Sequence, residues 1–202
     1  MASLVDIANY ALDQIGEQTI STLDDATTPA RKAKLNIYQT IREVSASGNW
    51  KCARASAVLA QDATAPAFGW SYAYTLPVDF IRIVSFNDLE TEDVETELFE
   101  VRGRQIQTDE TTASIVYIKD ITVSGDVGAM PPLMVKAVYL ALSAKLAWAI
   151  QQNRTLMAMQ EEKAEKALMR ARSTDAREEI RPLPDRAAGS NWISGRTSST
   201  NG

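Results

Sequence analysis

The chain has 202 residues, 45% of them hydrophobic and 23% charged, which is enough apolar material for one sizeable core or two small ones and excludes a disordered polymer. It holds no histidine and a single cysteine, Cys52, so Ser-His-Asp and Cys-His catalysis, His-ligated zinc and an internal disulfide are all excluded. The net charge of −5 belongs to the body, because arginines balance acids in the tail after Thr174, and an acidic body argues against general binding to a phosphate backbone.

The opening MASLVDIANY lacks the basic-then-apolar pattern of a secretory signal, so synthesis in a reducing cytoplasm is expected. Ser3 followed by Asp6 reads as a capping box. Leu4, Ala8, Ala11 or Leu12, and Ile15 then recur at helical spacing until Gly16. A second helix starts with Thr28 as N-cap and Pro29 at the first helical position. It carries Ala33, Ile37, Ile41 and Val44 on one face and stops at Gly48.

From Trp50 the period changes. WKCARASAVLA reads as a partly alternating strand containing Cys52, and YAYTL, IRIVSF, LFEVRG, RQIQT and SIVYIKD follow, β-branched or aromatic runs bounded by Pro, Gly, Asp and Asn. Five or six strands are expected, with FEVRGRQIQTD as a hairpin turning at Arg102-Gly103.

Helix returns after Met130-Pro131-Pro132. The run Leu133 to Ile150 has the length of a membrane span, but Lys136 and Lys145 and its wealth of alanine favour a buried helix between other helices. QNRT breaks it. A last helix follows from Leu156 to about Ile180, with Leu156, Met159, Ala164, Ala167, Leu168 and Ala171 as an inward stripe and Glu162–Lys166 as an i,i+4 pair. Pro182 and Pro184 end the pattern, and RPLPDRAAGSNWISGRTSSTNG has no periodicity.

These elements give an α+β chain: an antiparallel helical bundle with an inserted small β module and an extended C-terminal tail. The bundle takes 1–49 and 131–180, the module 50–130, and the tail 181–202.

Candidate chemistry is sparse. The run NDLETEDVETELFE holds seven acids between Asp88 and Glu100, without the EF-hand spacing. It reads as a solvated loop or sheet edge, with a partner-facing surface as the next reading and a metal or catalytic carboxylate pair as the last. Cys52 reads as core. Ser143 and Lys145 lie on different helix faces, and Ser124 to Gly128 lacks the lysine of a phosphate loop. Asn153-Arg154-Thr155 reads as a helix boundary, and RPLP as a helix stop. No residue is assigned to catalysis, to a cofactor or to a metal.

The least ordinary stretch is FGWSYAYTLPVDFIRIVSF, Phe68 to Phe86. Phe68, Trp70, Tyr72 and Tyr74 alternate, so one strand would place all four on one face. Together with GNWKCARASAVLA before it, EVRGRQIQTD and SIVYIKD after it, the alanine-rich helices ALSAKLAWAI and EEKAEKALMRARSTDA, and SNWISGR near the end, this stretch resembles the tail tubular protein A family. Members of that family are the head-to-tail adaptors of short-tailed bacteriophages of the T7 type. The likeness covers nearly the whole chain except Asp88 to Glu100.

The resemblance implies a non-enzymatic virion protein, made in the host bacterial cytoplasm and placed in the virion tail at the head–tail junction. It would form a homo-oligomeric ring, twelve-fold in the family, between the portal protein and the tail nozzle (tubular protein B). Genomic DNA would pass through its lumen without sequence-specific contact. Phe68, Trp70, Tyr72 and Tyr74, with Glu92, Asp93 and Glu95, would form the module contacting neighbouring subunits or nozzle. Arg181, Arg186, Asn191, Trp192, Ile193 and Arg196 would form an arm docking on portal. The competing readings are a tail-associated hydrolase using two carboxylates of the acidic run, and a host-directed binding module using RPLP or that run.

Overall fold

The computed structural model describes residues 2–90 and 98–177. The chain is mixed α+β; the described residues form four α-helices and two small antiparallel sheets, and every strand among them lies between the second and third helices in sequence.

Helix α1 (Leu4–Asp13) begins as its sequence requires: Ser3 Oγ accepts from the Asp6 amide at 3.1 Å, and the Asp6 carboxylate accepts from the Ser3 amide at 2.9 Å. Those bonds, backbone first, hold the Asp6 carboxyl below its usual range. Helix α2 (Thr28–Ala46) is capped by Thr27, whose hydroxyl accepts from the Ala30 amide. The cap thus lies one residue before the expected Thr28, since either threonine can supply the oxygen and Pro29 tolerates N1 or N2. Helix α3 (Pro132–Gln151) opens on its two prolines. It ends at Gln152, which adopts a left-handed conformation (φ 54°). Asn153 then caps α4 (Arg154–Arg177), its side-chain oxygen accepting from the Leu156 amide at 3.0 Å, so the sequon-like Asn-Arg-Thr is indeed a helix boundary.

Helix α3 is long and apolar enough to cross a membrane, and here it is the helix on which the other three pack. With α1, α2 and α4 it encloses a core that includes Ile7, Leu12, Ile37, Ile41, Met134, Val138 and Leu142. On α4 the inward residues are Gln160, Ala164 and Ala171, with Leu156, Met157 and Leu168 partly buried. Met159, expected in this stripe, is instead exposed: it lies one residue from the buried Gln160, about 100° round the helix.

The four-stranded sheet has the order β1-β7-β3-β4, from β1 (Arg54–Val58), β7 (Ser114–Lys119), β3 (Phe80–Phe86) and β4 (Leu89–Glu90). The three-stranded sheet has the order β2-β6-β5, from β2 (Tyr72–Thr75), β6 (Gln105–Thr108) and β5 (Phe99–Arg102). Alternation along β7 explains the layering: Ile118 joins the helical core, while Ile115 and Tyr117 join a second core with Phe86, Tyr74 and Ile106 between the sheets. The larger sheet therefore separates helices from the smaller sheet. Polar ties fix it to α2. Arg42 Nε pairs with the buried Asp120 at 3.0 Å, and Arg82 Nε donates to the Ala46 carbonyl at 3.1 Å.

Three expectations on the strands change in detail. Cys52 lies in a short 3-10 turn (Lys51–Ala53) before β1 rather than in a strand. In the β5–β6 hairpin Arg102 pairs with Gln105, so the turn is Gly103-Arg104, with Gly103 at φ 61°, one residue later than Arg102-Gly103. The start of the acidic run is itself a hairpin turn. Asn87 and Asp88 both have positive φ and join β3 to β4, the backbone a two-residue turn of primed type demands.

Candidate assembly surface

The expected single aromatic face does not form, because Gly69 takes φ 88° and interrupts the extended backbone that alternation requires. Only Tyr72 and Tyr74 lie on β2. Tyr74 is buried in the second core and its hydroxyl donates to the Glu110 carbonyl at 2.9 Å, with Tyr72 partly buried beside it. That burial also pushes the Tyr74 phenol pKa up.

Trp70 and Phe68 contact the opposite side of the same sheet. Phe99 packs into the second core, so its strand neighbours Glu100 and Arg102, which flank it at i+1 and i+3, face away from that core. Trp70 Nε1 donates to Glu100 Oε2 at 3.3 Å, Arg102 Nε donates to Glu100 Oε1 at 2.8 Å, and the Arg102 guanidinium lies 5.5 Å from the centre of the Phe68 ring. The Arg102 bond first, then the Trp70 bond, hold the Glu100 carboxyl below its usual range. Phe68 remains 72% exposed and Trp70 half-buried. The result is a run of four linked side chains, aromatic, cation, carboxylate, aromatic, lying outside both cores.

Neighbouring bonds hold this face in register. Ser71 donates through its amide and hydroxyl to Asp109 Oδ1 at 2.9 and 2.8 Å. Asp62 accepts from Thr75 Oγ1 and Gln105 Nε2, both at 2.7 Å. Gln107 is buried on the same side, and its Oε1 has no hydrogen-bond partner among the described residues. Just past the end of β2, the Leu76 amide donates to the Arg104 carbonyl at 2.9 Å, and the Arg104 guanidinium also bonds the Pro77 carbonyl. That bonding accounts for the Leu-Pro after the aromatic string: it is a backbone junction clamped by the hairpin turn.

Of the residues expected at partner contacts, the structure thus brings Phe68 and Trp70 together on one face and puts Tyr72 and Tyr74 on the other. Glu92, Asp93 and Glu95 lie outside the described residues, as do Arg181, Arg186, Asn191, Trp192, Ile193 and Arg196. Sequence reasoning missed Glu100 and Arg102 as members of the cluster. Their i,i+2 spacing on a strand next to Phe99 is the signal that could have found them.

Elsewhere the groups with chemical potential are occupied structurally. The Cys52 thiol lies 3.6 Å from Met134 Sδ, and its pKa is pushed up to about 11, by burial first and then by Asp175. No group of three or more His, Cys, Asp and Glu residues able to hold a metal occurs among the described residues. Ser143 is buried and donates to the Leu140 carbonyl at 2.7 Å, whereas Lys145 pairs with Glu43 at 2.6 Å, so the two serve different faces of α3. No protein-family model matches this chain, and no curated protein matches it.

Proposed function

We propose that this chain is a structural virion protein, the head-to-tail adaptor that forms a ring between portal and tail nozzle and extends the DNA channel. In this reading the four helices are the ring-building bundle, the strands are a module inserted into it, and the segment after residue 180 is an extended arm that docks on portal.

The observation that carries the reading is the Phe68–Arg102–Glu100–Trp70 cluster. An exposed aromatic and a half-exposed tryptophan, fixed by an ion pair on a rigid sheet outside both cores, are the anchor type that dominates protein–protein contacts. The sequence likeness gives the partner class, with a neighbouring subunit or the nozzle as what the cluster meets.

Light scattering and negative-stain microscopy of the full chain, alone and mixed with its cognate portal protein, test the proposal. Rings, or a portal complex several subunits larger than portal, are expected. A small monomer that ignores portal and instead hydrolyses cell-wall or polysaccharide polymer would replace this reading with the carboxylate hydrolase.

A further inference from the structure

Helix α4 has two flanks of opposite charge. On one, between α4 and α3, a groove of about 470 Å³ is rimmed by Lys136, Lys163, Lys166 and Arg170 over an apolar floor that includes Leu133 and Tyr139. Among the described residues only Lys166 of these four is in an ion pair, with Glu162. On the other flank, between α4, α3 and α2, a groove of about 490 Å³ has Ala137, Ala141 and Ala144 in its floor and is rimmed by Glu43, Glu161 and Glu165. Glu43 is paired with Lys145, while Glu161 and Glu165 form no ion pair among the described residues. Helical spacing makes the separation regular. Lys163, Lys166 and Arg170 recur at i, i+3 and i+7, and Glu161 and Glu165 at i and i+4, on either side of the buried Gln160, Ala164 and Ala171.

In a chain whose net charge is −5, a groove lined by four cations and no acid is a local inversion. We infer that the occupant of each groove is a second copy of this chain: the basic flank of α4 in one copy seats on the acidic, alanine-floored groove of the next. The two surfaces are complementary in charge and similar in size. They differ from each other, so the contact is head-to-tail and propagates around a ring rather than closing as a two-fold dimer. Alanines in the floor let another helix approach closely and supply the apolar area. The exposed charges set register and orientation more than affinity. This inference rests on the ring reading above and names which surfaces close the ring.

Charge reversal tests it without depending on the fate of a single variant. Lys163→Glu with Arg170→Glu cancels the net positive charge of the basic flank and sets two glutamates on it, and Glu161→Lys with Glu165→Lys leaves a subunit basic on both flanks. Each double variant alone is expected to sediment as a monomer with an unchanged circular dichroism spectrum. An equimolar mixture of the two should regain assemblies of wild-type size, because the new glutamates of one variant can face the new lysines of the other. Wild-type assemblies should in turn weaken as salt is raised, as screening of exposed pairs requires. If wild type assembles and either double variant assembles equally well alone, or the mixture stays monomeric, these flanks are not the interface and the ring reading survives. If wild type is monomeric at every salt and protein concentration and with portal, the ring reading falls and this inference with it.

Discussion

Trp50 and Trp70 show how differently the helical and the strand parts of this molecule use the same side chain. Trp50 is 1% exposed, belongs to the helical core beside Ile118 and Ile121, and donates Nε1 to the Val44 carbonyl at 2.8 Å, so it covers the C-terminal turn of α2. Trp70 belongs to neither core, and its donor goes to a carboxylate that Arg102 also holds. Where ring and N–H are both enclosed by one core, a tryptophan is an internal fastener. Where its polar partner is half-exposed, it is a positioned surface. Gly48 belongs to the first arrangement, since a Cβ there would stand 3.0 Å from the Trp50 ring.

If this contrast is right, Trp50→Ala has the largest effect. Its cost should be about 3–5 kcal/mol in a denaturant titration, as for other buried large-to-small changes. A loss under about 1 kcal/mol would mean that the helices do not depend on it. Trp70→Ala should cost about 1–2 kcal/mol and leave a folded subunit, while assembly detected by scattering is lost. Collapse of the fold would make Trp70 as structural as Trp50.

Tyr74→Phe sharpens the comparison within the strand part. It removes one hydrogen bond and leaves the Glu110 carbonyl without that donor, so about 1 kcal/mol of stability should go while assembly is unaffected. The smallest effect at neutral pH concerns Cys52. With its folded pKa near 11 against an ordinary value near 9, the native thiol should react with a disulfide reagent at pH 8 far more slowly than the denatured chain. Because the folded pKa is the higher one, the unfolded chain ionises first. The stability due to the neutral thiol is present below pH 9 and is lost as pH rises towards 11. A native reaction as fast as the denatured one would place the thiol at the surface.

How much of this was legible in the sequence follows from which signals are local. Helix-boundary signals were legible at Ser3–Asp6, at Pro131-Pro132 and, as a boundary and not as a cap, at Asn153-Arg154-Thr155, because each involves residues within one turn. Strand runs were legible by composition, and the hairpin to within one residue. Their division into two sheets was not, because pairing β1 with β7 and β2 with β6 joins segments far apart in the chain. The aromatic face was misread at one glycine: Gly69 looked like a neighbour in an alternating run, and only its positive φ shows that the run has ended. The Glu100–Arg102 pair escaped because, although both residues lay in an expected hairpin, Glu100 was counted with the acidic run and Arg102 with the turn, and neither reading says what their face meets. The opposed flanks of α4 were likewise hidden inside an apparently ordinary charged helix, since their meaning depends on what α2 and α3 place opposite them.

The C-terminal end of α1 is finished by residues from the other side of the sequence. Gln151 Nε2 donates to the Ile15 carbonyl at 2.7 Å, and Gln160 Nε2 donates to the Gln14 carbonyl at 3.1 Å. During synthesis these carbonyls leave the ribosome long before their donors do, and the strands emerge in between. The first helix must therefore wait, its apolar face bare, until α3 and the start of α4 have been translated. Completion of the fold is in this sense a clasp that α3 and α4 close on the first helix.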